Sequence, residues 1–181
     1  LKVAYPAFPS DAKGLLATAI NDPNPVLFFE HKGLYRSIYE DVPTDYYTLP
    51  FGKAKVLRNG KDLSVVTYGA GVHWVLEILE KHPEIDADVI DLRTLQPLDV
   101  NTIYESVKKT SKLIILQEDT LFGGIASDIA AMVMENCFEF LDAPIRRIGS
   151  LETPVPFAKA LEQEYLPKQR FETALLELYA Y

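Results

Sequence analysis

The chain has 181 residues, 48% of them hydrophobic, and a mean hydropathy of +0.01, enough to bury the core of one domain plus part of another. Eighteen Lys and Arg against 26 Asp and Glu give a formal charge of -8, which argues against a phosphate-tracking nucleic-acid surface and suits a basic partner better. The single cysteine, Cys137, rules out an intramolecular disulfide or a cysteine-rich metal site, and no apolar run reaches the roughly 20 residues of a bilayer span. That cysteine usage is compatible with a reducing compartment.

In chain order, Leu1-Lys2-Val3-Ala4 reads as a short strand with no targeting pattern ahead of it, and a start on Leu1 rather than Met points to a piece of a longer protein. Ser10-Asp11 can cap a helix carrying Ala12, Leu15, Leu16, Ala19 and Ile20 at helical spacing, which Asp22-Pro23-Asn24-Pro25 ends in a turn. Val26-Leu27-Phe28-Phe29 reads as a buried strand. Residues 31–51 carry four tyrosines and two prolines without periodicity and read as a connection between domains. Strands are predicted over 53–57 and 63–68, flanking Asn59-Gly60, a pair able to turn a hairpin. Val72, Val75, Leu76 and Leu79 then make a helix stripe and residues 87–90 a strand. A helix over 103–107 follows Asp99, and 113–116 is an apolar strand. Ile125, Ile129, Ala130 and Val133 mark another helix, 145–148 a last strand, and 157–165 and 171–179 two closing helices. Alternating helices and apolar strands predict an α/β three-layer sandwich with a mostly parallel sheet covered on both faces.

Few residues announce chemistry. Gly69-Ala70-Gly71 stands between a strand and a helix but lacks the Gly-x-Gly-x-x-Gly fingerprint, so it reads as a tight turn rather than a phosphate loop, and Gly123-Gly124 reads likewise as close packing. His31, His73 and His82 have no metal-ligand spacing, and structural roles are expected for His73 and His82. Cys137, with no activating base nearby in sequence, reads as a packed thiol. Glu30 and Glu118-Asp119 close two strands at the end where α/β proteins often place function, and spacing alone makes them loop or interface carboxylates.

Several stretches together are more specific. They are Leu1 through Pro6, Asp11-Ala12-Lys13-Gly14-Leu15-Leu16, Asp22-Pro23-Asn24-Pro25-Val26, Phe28-Phe29-Glu30-His31-Lys32 with Leu34-Tyr35-Arg36, and Thr67-Tyr68-Gly69. Further on come Asp91-Leu92-Arg93-Thr94-Leu95 with Pro97-Leu98-Asp99, Phe140-Leu141-Asp142-Ala143-Pro144 and Thr153-Pro154-Val155-Pro156. In combination they resemble the beta subunit of the first component of thiamine diphosphate-dependent 2-oxo acid dehydrogenases. Phe28 to Lys32 and Tyr68 to His73 look more like the branched-chain (2-oxoisovalerate) type than the pyruvate type.

The resemblance implies three parts: residues 1–36 as the tail of a pyrimidine-binding domain, 37–51 as a linker and 52–181 as a transketolase C-terminal-type domain. The family decarboxylates a 2-oxo acid on the thiamine ylid with magnesium and passes the acyl group to lipoyl on an acyltransferase core. Its cofactor-activating carboxylate and substrate-side histidine lie upstream of what Leu1 matches. No catalytic or cofactor-binding residue is therefore carried over, and the chain alone is expected to be inactive. The resemblance does carry over a structural potassium site at a helix end, through the Ala19 carbonyl, Asp22 and Asn24, and a contact at Asp142 to the basic subunit-binding domain of the acyltransferase. It implies an alpha subunit or alpha part and a second beta copy as partners, in a bacterial cytoplasm or an organelle matrix, without nucleic acid or membrane. Readings from outside this type are another transketolase-like thiamine enzyme, such as transketolase or deoxyxylulose phosphate synthase, and a non-catalytic interaction module.

Overall fold

The structure, a computed structural model, describes residues 1–181. Eight strands and six α-helices follow in the order β1 (Lys2–Ala4), α1 (Pro9–Asn21), β2 (Val26–Phe28), β3 (Lys55–Arg58), β4 (Leu63–Thr67), α2 (Ala70–Lys81), β5 (Ala87–Asp91) and β6 (Thr94–Gln96). The remainder are α3 (Val100–Thr110), β7 (Leu113–Thr120), α4 (Ile125–Cys137), β8 (Arg146–Ser150), α5 (Lys159–Tyr165) and α6 (Lys168–Tyr179). No helix is long and apolar enough to cross a membrane.

The main sheet runs β3-β5-β4-β7-β8, with every neighbouring pair parallel except β3 against β5. Its central strands are buried on both faces because their side chains alternate between two apolar layers. Leu63, Val65, Ile114 and Leu116 meet Val75, Ile78 and Leu79 of α2 and Phe171, Leu175 and Leu178 of α6. Val66, Leu113 and Ile115 meet Ile103 and Val107 of α3 and Ile129, Val133 and Cys137 of α4. The result is the expected three-layer α/β sandwich. Asp99 starts α3 as a cap, its carboxylate accepting the Thr102 N–H at 3.4 Å and the Thr102 hydroxyl at 2.8 Å.

Four local expectations are corrected. The hairpin around Asn59-Gly60 does not form: β5 lies between β3 and β4, so the turn joins strands that are not neighbours. Gly60 is needed instead for close approach, since a Cβ there would lie 2.1 Å from the Asp86 carbonyl oxygen. The first helix begins at Pro9 with Phe8 ahead of it, and proline fits that position because its missing N–H is unpaired there anyway. Asp11 is thereby turned inward, 3% exposed, rather than capping. Leu16 and Ile20 are exposed, and β2 is a half-exposed edge strand rather than a buried one. Finally, β6 was not anticipated; it pairs antiparallel with β1, which also pairs parallel with β2, in a second three-stranded sheet.

Residues 37–51 contain no helix or strand and lie along α1. The Leu49 N–H donates to the Gly14 carbonyl at 3.1 Å, the Thr18 hydroxyl to the Leu49 carbonyl at 2.6 Å, and the Tyr47 hydroxyl to the Ser10 carbonyl at 2.6 Å.

Candidate functional site

From β4 the strand order runs outward one way to β5 and β3 and the other way to β7 and β8, so it reverses between β4 and β7. Crevices at such a reversal, beyond the carboxyl ends of the strands, are where α/β sheets hold ligands. Two loops frame this one: Gly69-Ala70-Gly71 after β4, and the last residues of β7 leading to Gly123-Gly124. Gly69 has φ 55°, and a Cβ on it would meet the Tyr5 ring at 2.8 Å, while one on Gly71 would meet the Thr67 hydroxyl oxygen at 2.2 Å. The turn is glycine-rich for steric reasons, as the sequence suggested.

Glu118, in the exit of β7, gathers two residues of the N-terminal segment. Its Oε1 lies 3.1 Å from His31 Nε2 and its Oε2 accepts the Tyr5 hydroxyl at 3.4 Å. That bond to Glu118 is the main reason the His31 pKa is raised, against the opposing effect of burial. Burial, with Glu118 adding to it, pushes the Tyr5 phenol up to about 12. The residues are 87 and 113 positions apart in sequence, which is why local spacing did not reveal the group. His73 instead bonds the Ala7 carbonyl at 2.8 Å through Nε2, and His82 pairs with Glu172 at 2.9 Å. Cys137 is fully buried, and that burial raises its thiol pKa.

A second buried polar group joins the N-terminal segment to the larger sheet. Arg93, at φ 56°, donates to Asp11 at 3.1 Å and to the Lys53 carbonyl at 2.7 and 3.0 Å, while its own carbonyl accepts the Tyr5 N–H at 2.8 Å. Lys55 pairs with the other Asp11 oxygen at 3.1 Å. Asp91 accepts the Arg93 N–H at 3.0 Å through Oδ1, but Oδ2 is buried without a partner. Burial pushes the Asp91 carboxyl up to about 7; the bond from the Arg93 N–H opposes this, Asp11 adds to it, and the charges of Arg93 and Lys55 oppose it. Above the ordinary value of 3.8 the unfolded chain ionises this group while the folded chain keeps its proton, so its contribution falls with rising pH until about 7. The stability of Asp91→Asn relative to the parent should therefore rise between about pH 4 and about pH 7 in urea titrations. A difference that stays flat with pH would remove Asp91 as the source.

Ala19, Asp22 and Asn24, expected at a potassium site, lie in one turn at the end of α1. The Asp22 N–H donates to the Ala19 carbonyl at 3.3 Å, and Asp22 Oδ1 accepts from the Asn24 backbone at 2.9 Å and side chain at 3.2 Å. Asp22 Oδ2 is bonded by the Lys2 ammonium, and this bond is the main reason the Asp22 pKa is lowered. Asp142 is exposed in the turn before β8, its N–H bonded to the Ser111 carbonyl at 2.9 Å, at the end of the sheet opposite the Glu118 crevice.

The family model "Transketolase, C-terminal domain" matches residues 52–170, and the chain belongs to that family. It is 46% identical over 182 residues to the 2-oxoisovalerate dehydrogenase subunit beta of Bacillus subtilis, covering 98% of this chain and 56% of the relative. It is 44% identical over 171 residues to the pyruvate dehydrogenase E1 component subunit beta of Rickettsia felis, covering 93% and 52%. Against the acetoin:2,6-dichlorophenolindophenol oxidoreductase subunit beta of Bacillus subtilis it is 47% identical over 169 residues, covering 92% and 49%. The chain thus spans about half the length of the curated relatives it matches. A solved structure, the split gene transketolase in an inactive beta4 tetramer, shares the fold at a TM-score of 0.79 and 24% identity, over 99% of this chain and 57% of that one.

Proposed function

We propose that this chain is the C-terminal part of the beta subunit of a 2-oxo acid dehydrogenase first component, acting on a branched-chain 2-oxo acid and passing the acyl group to lipoyl on an acyltransferase core. The observation that carries this reading is that similarity to beta subunits extends over 98% of the chain, well outside the family-model match at residues 52–170. In this reading residues 1–36 close a pyrimidine-binding domain, 37–51 link, and 52–181 form the transketolase C-terminal-type domain. The branched-chain assignment rests on Phe28 to Lys32 and Tyr68 to His73, because pyruvate and acetoin relatives are equally similar.

The residues present do not fit thiamine diphosphate. The Glu118 crevice is lined by Glu118, Asp119 and Glu162 and by no Lys or Arg, the reverse of what a diphosphate requires. The cofactor and its magnesium belong to upstream sequence and to an alpha subunit or alpha part. The role of this chain is then pairing with a second beta copy and assembly, within a bacterial cytoplasm or an organelle matrix. The test is carbon dioxide release by this chain rejoined to its upstream sequence and alpha part, with thiamine diphosphate and magnesium. Faster release from branched acids than from pyruvate supports the reading; pyruvate preference overturns the substrate, and acetoin oxidation without release from either acid overturns the reaction.

Ala19, Asp22 and Asn24 supply oxygens of the kind that holds potassium, and an ion there would have to share Asp22 with the Lys2 ammonium. A higher Tm in potassium chloride than in choline chloride of equal ionic strength supports occupancy, and equal values oppose it. Asp142 is proposed to meet the basic subunit-binding domain. Asp142→Lys should weaken that capture about tenfold in calorimetry with Tm unchanged, since a rim charge is reversed rather than removed. Unaltered affinity would take Asp142 out of the contact.

A further inference from the structure

The Glu118 crevice opens on a cavity of about 450 Å³, the size that accommodates a small organic molecule. One wall is a run of three aromatic rings: Tyr5 lies 5.6 Å from Phe29 and 5.5 Å from Tyr68, centroid to centroid, both pairs tilted. Leu95, Val155 and Leu166 supply an aliphatic lining. The charged residues lining the cavity are Glu118, Asp119 and Glu162; Glu118 is bonded by His31, while no cation pairs with Asp119 or Glu162.

Acid residues alone do not define a site, but two further groups do. Tyr68 and Tyr165 are each only 8% exposed and line the cavity, yet neither hydroxyl has a hydrogen-bond partner within the chain. Neither is sealed off from solvent, since neither is among the buried atoms left without a partner. Both hydroxyls keep access to solvent and belong to residues that line one cavity, so they are free to bond a ligand's polar atoms.

We propose that this cavity binds a small organic cation with an apolar body, of the arylalkyl amine class. Its ammonium offers three N–H donors to the Tyr68 and Tyr165 oxygens and to a carboxylate, the aromatic run provides cation-π attraction, and the aliphatic lining covers the body. An anion of the same shape is repelled by Asp119 and Glu162, which no cation pairs. Burial, then Asp119, Tyr5 and Glu118, raises the Tyr68 phenol, which keeps it neutral and able to accept from the ammonium. The lining comes from both the N-terminal segment, through Tyr5 and Phe29, and the larger domain.

The probes are tryptamine and its anionic counterpart indole-3-acetate, titrated calorimetrically into the full chain near neutral pH. Tryptamine should bind at one site at least about tenfold tighter than indole-3-acetate, a difference of about 1.4 kcal/mol. Glu162 is exposed and no side-chain bond holds it, so Glu162→Gln tests the charge without disturbing the fold; it should weaken tryptamine about threefold at unchanged Tm. Tyr165→Phe should weaken it by a similar factor, as expected for one lost hydrogen bond. Equal affinity for the amine and the acid, or no tryptamine binding, overturns the proposal. Tryptamine binding indifferent to both substitutions places the amine elsewhere and overturns it equally.

Discussion

Asp11→Ala is expected to lower the unfolding free energy by about 3 kcal/mol, the low end of what breaking a buried ion pair costs. The Asp11 side chain is 5% exposed and that of Arg93 10%, so removing the carboxylate strands a guanidinium away from water. Lys55 can move into solvent, since its side chain is 39% exposed. Asp91 beside Arg93 can ionise more readily and recover part of the loss, which keeps the figure from reaching about 5 kcal/mol. Because Asp11 belongs to α1 while Lys55 belongs to β3 and Arg93 follows β5, amide exchange in α1 should speed up more than exchange in β4. Urea unfolding followed by hydrogen exchange checks both parts. A loss below about 1 kcal/mol, typical of a surface pair, would show that the group is not functioning as a buried one.

Phe171→Ala should cost about as much or more, about 3–5 kcal/mol, by a different route. Phe171 is the largest of the side chains with no exposed surface, and it packs from α6 into the layer that also holds Val75 and Ile78 of α2. Truncation leaves a void between α6, fixed on the sheet by Leu175 and Leu178, and α2, fixed by Val75 and Ile78, so the surroundings have little freedom to close it. The midpoint in urea should fall with the slope unchanged. A loss below about 2 kcal/mol would mean that α6 shifts to fill the space.

The central strands and their helices were legible because the apolar runs at 63–67, 87–91 and 113–116 and the helix stripes leave little choice when both sheet faces are covered. What escaped depends on contacts between distant segments. The order of β3, β5 and β4 is set by which edges of the sheet are free, and Asn59-Gly60 looks the same whether or not the flanking strands pair. The three residues of β6 become a strand only because β1 lies beside them. Asp11 and Ser10 fit a helix start equally well; only the approach of Arg93, 82 positions later, decides that Asp11 is buried. At the crevice, spacing directed attention to Glu118 as a carboxylate ending a strand, while its partners Tyr5 and His31 carried no mark of their own. Tyr165 was read only as the end of a closing helix.

The position of β8 at the margin of the sheet leaves one row of its backbone N–H and C=O groups without a neighbouring strand. Arg146 and Arg147 on that strand are both exposed, Arg146 held by Glu177 at 3.2 Å and Arg147 by Ser127 at 2.6 Å. Arg147, whose partner is neutral, repels an identical margin brought alongside, and both long side chains must be displaced before a further strand can add. Copies of this chain that associate along β8 must therefore first move these side chains, which favours contacts between side-chain surfaces over an extended, fibre-forming ladder at this margin.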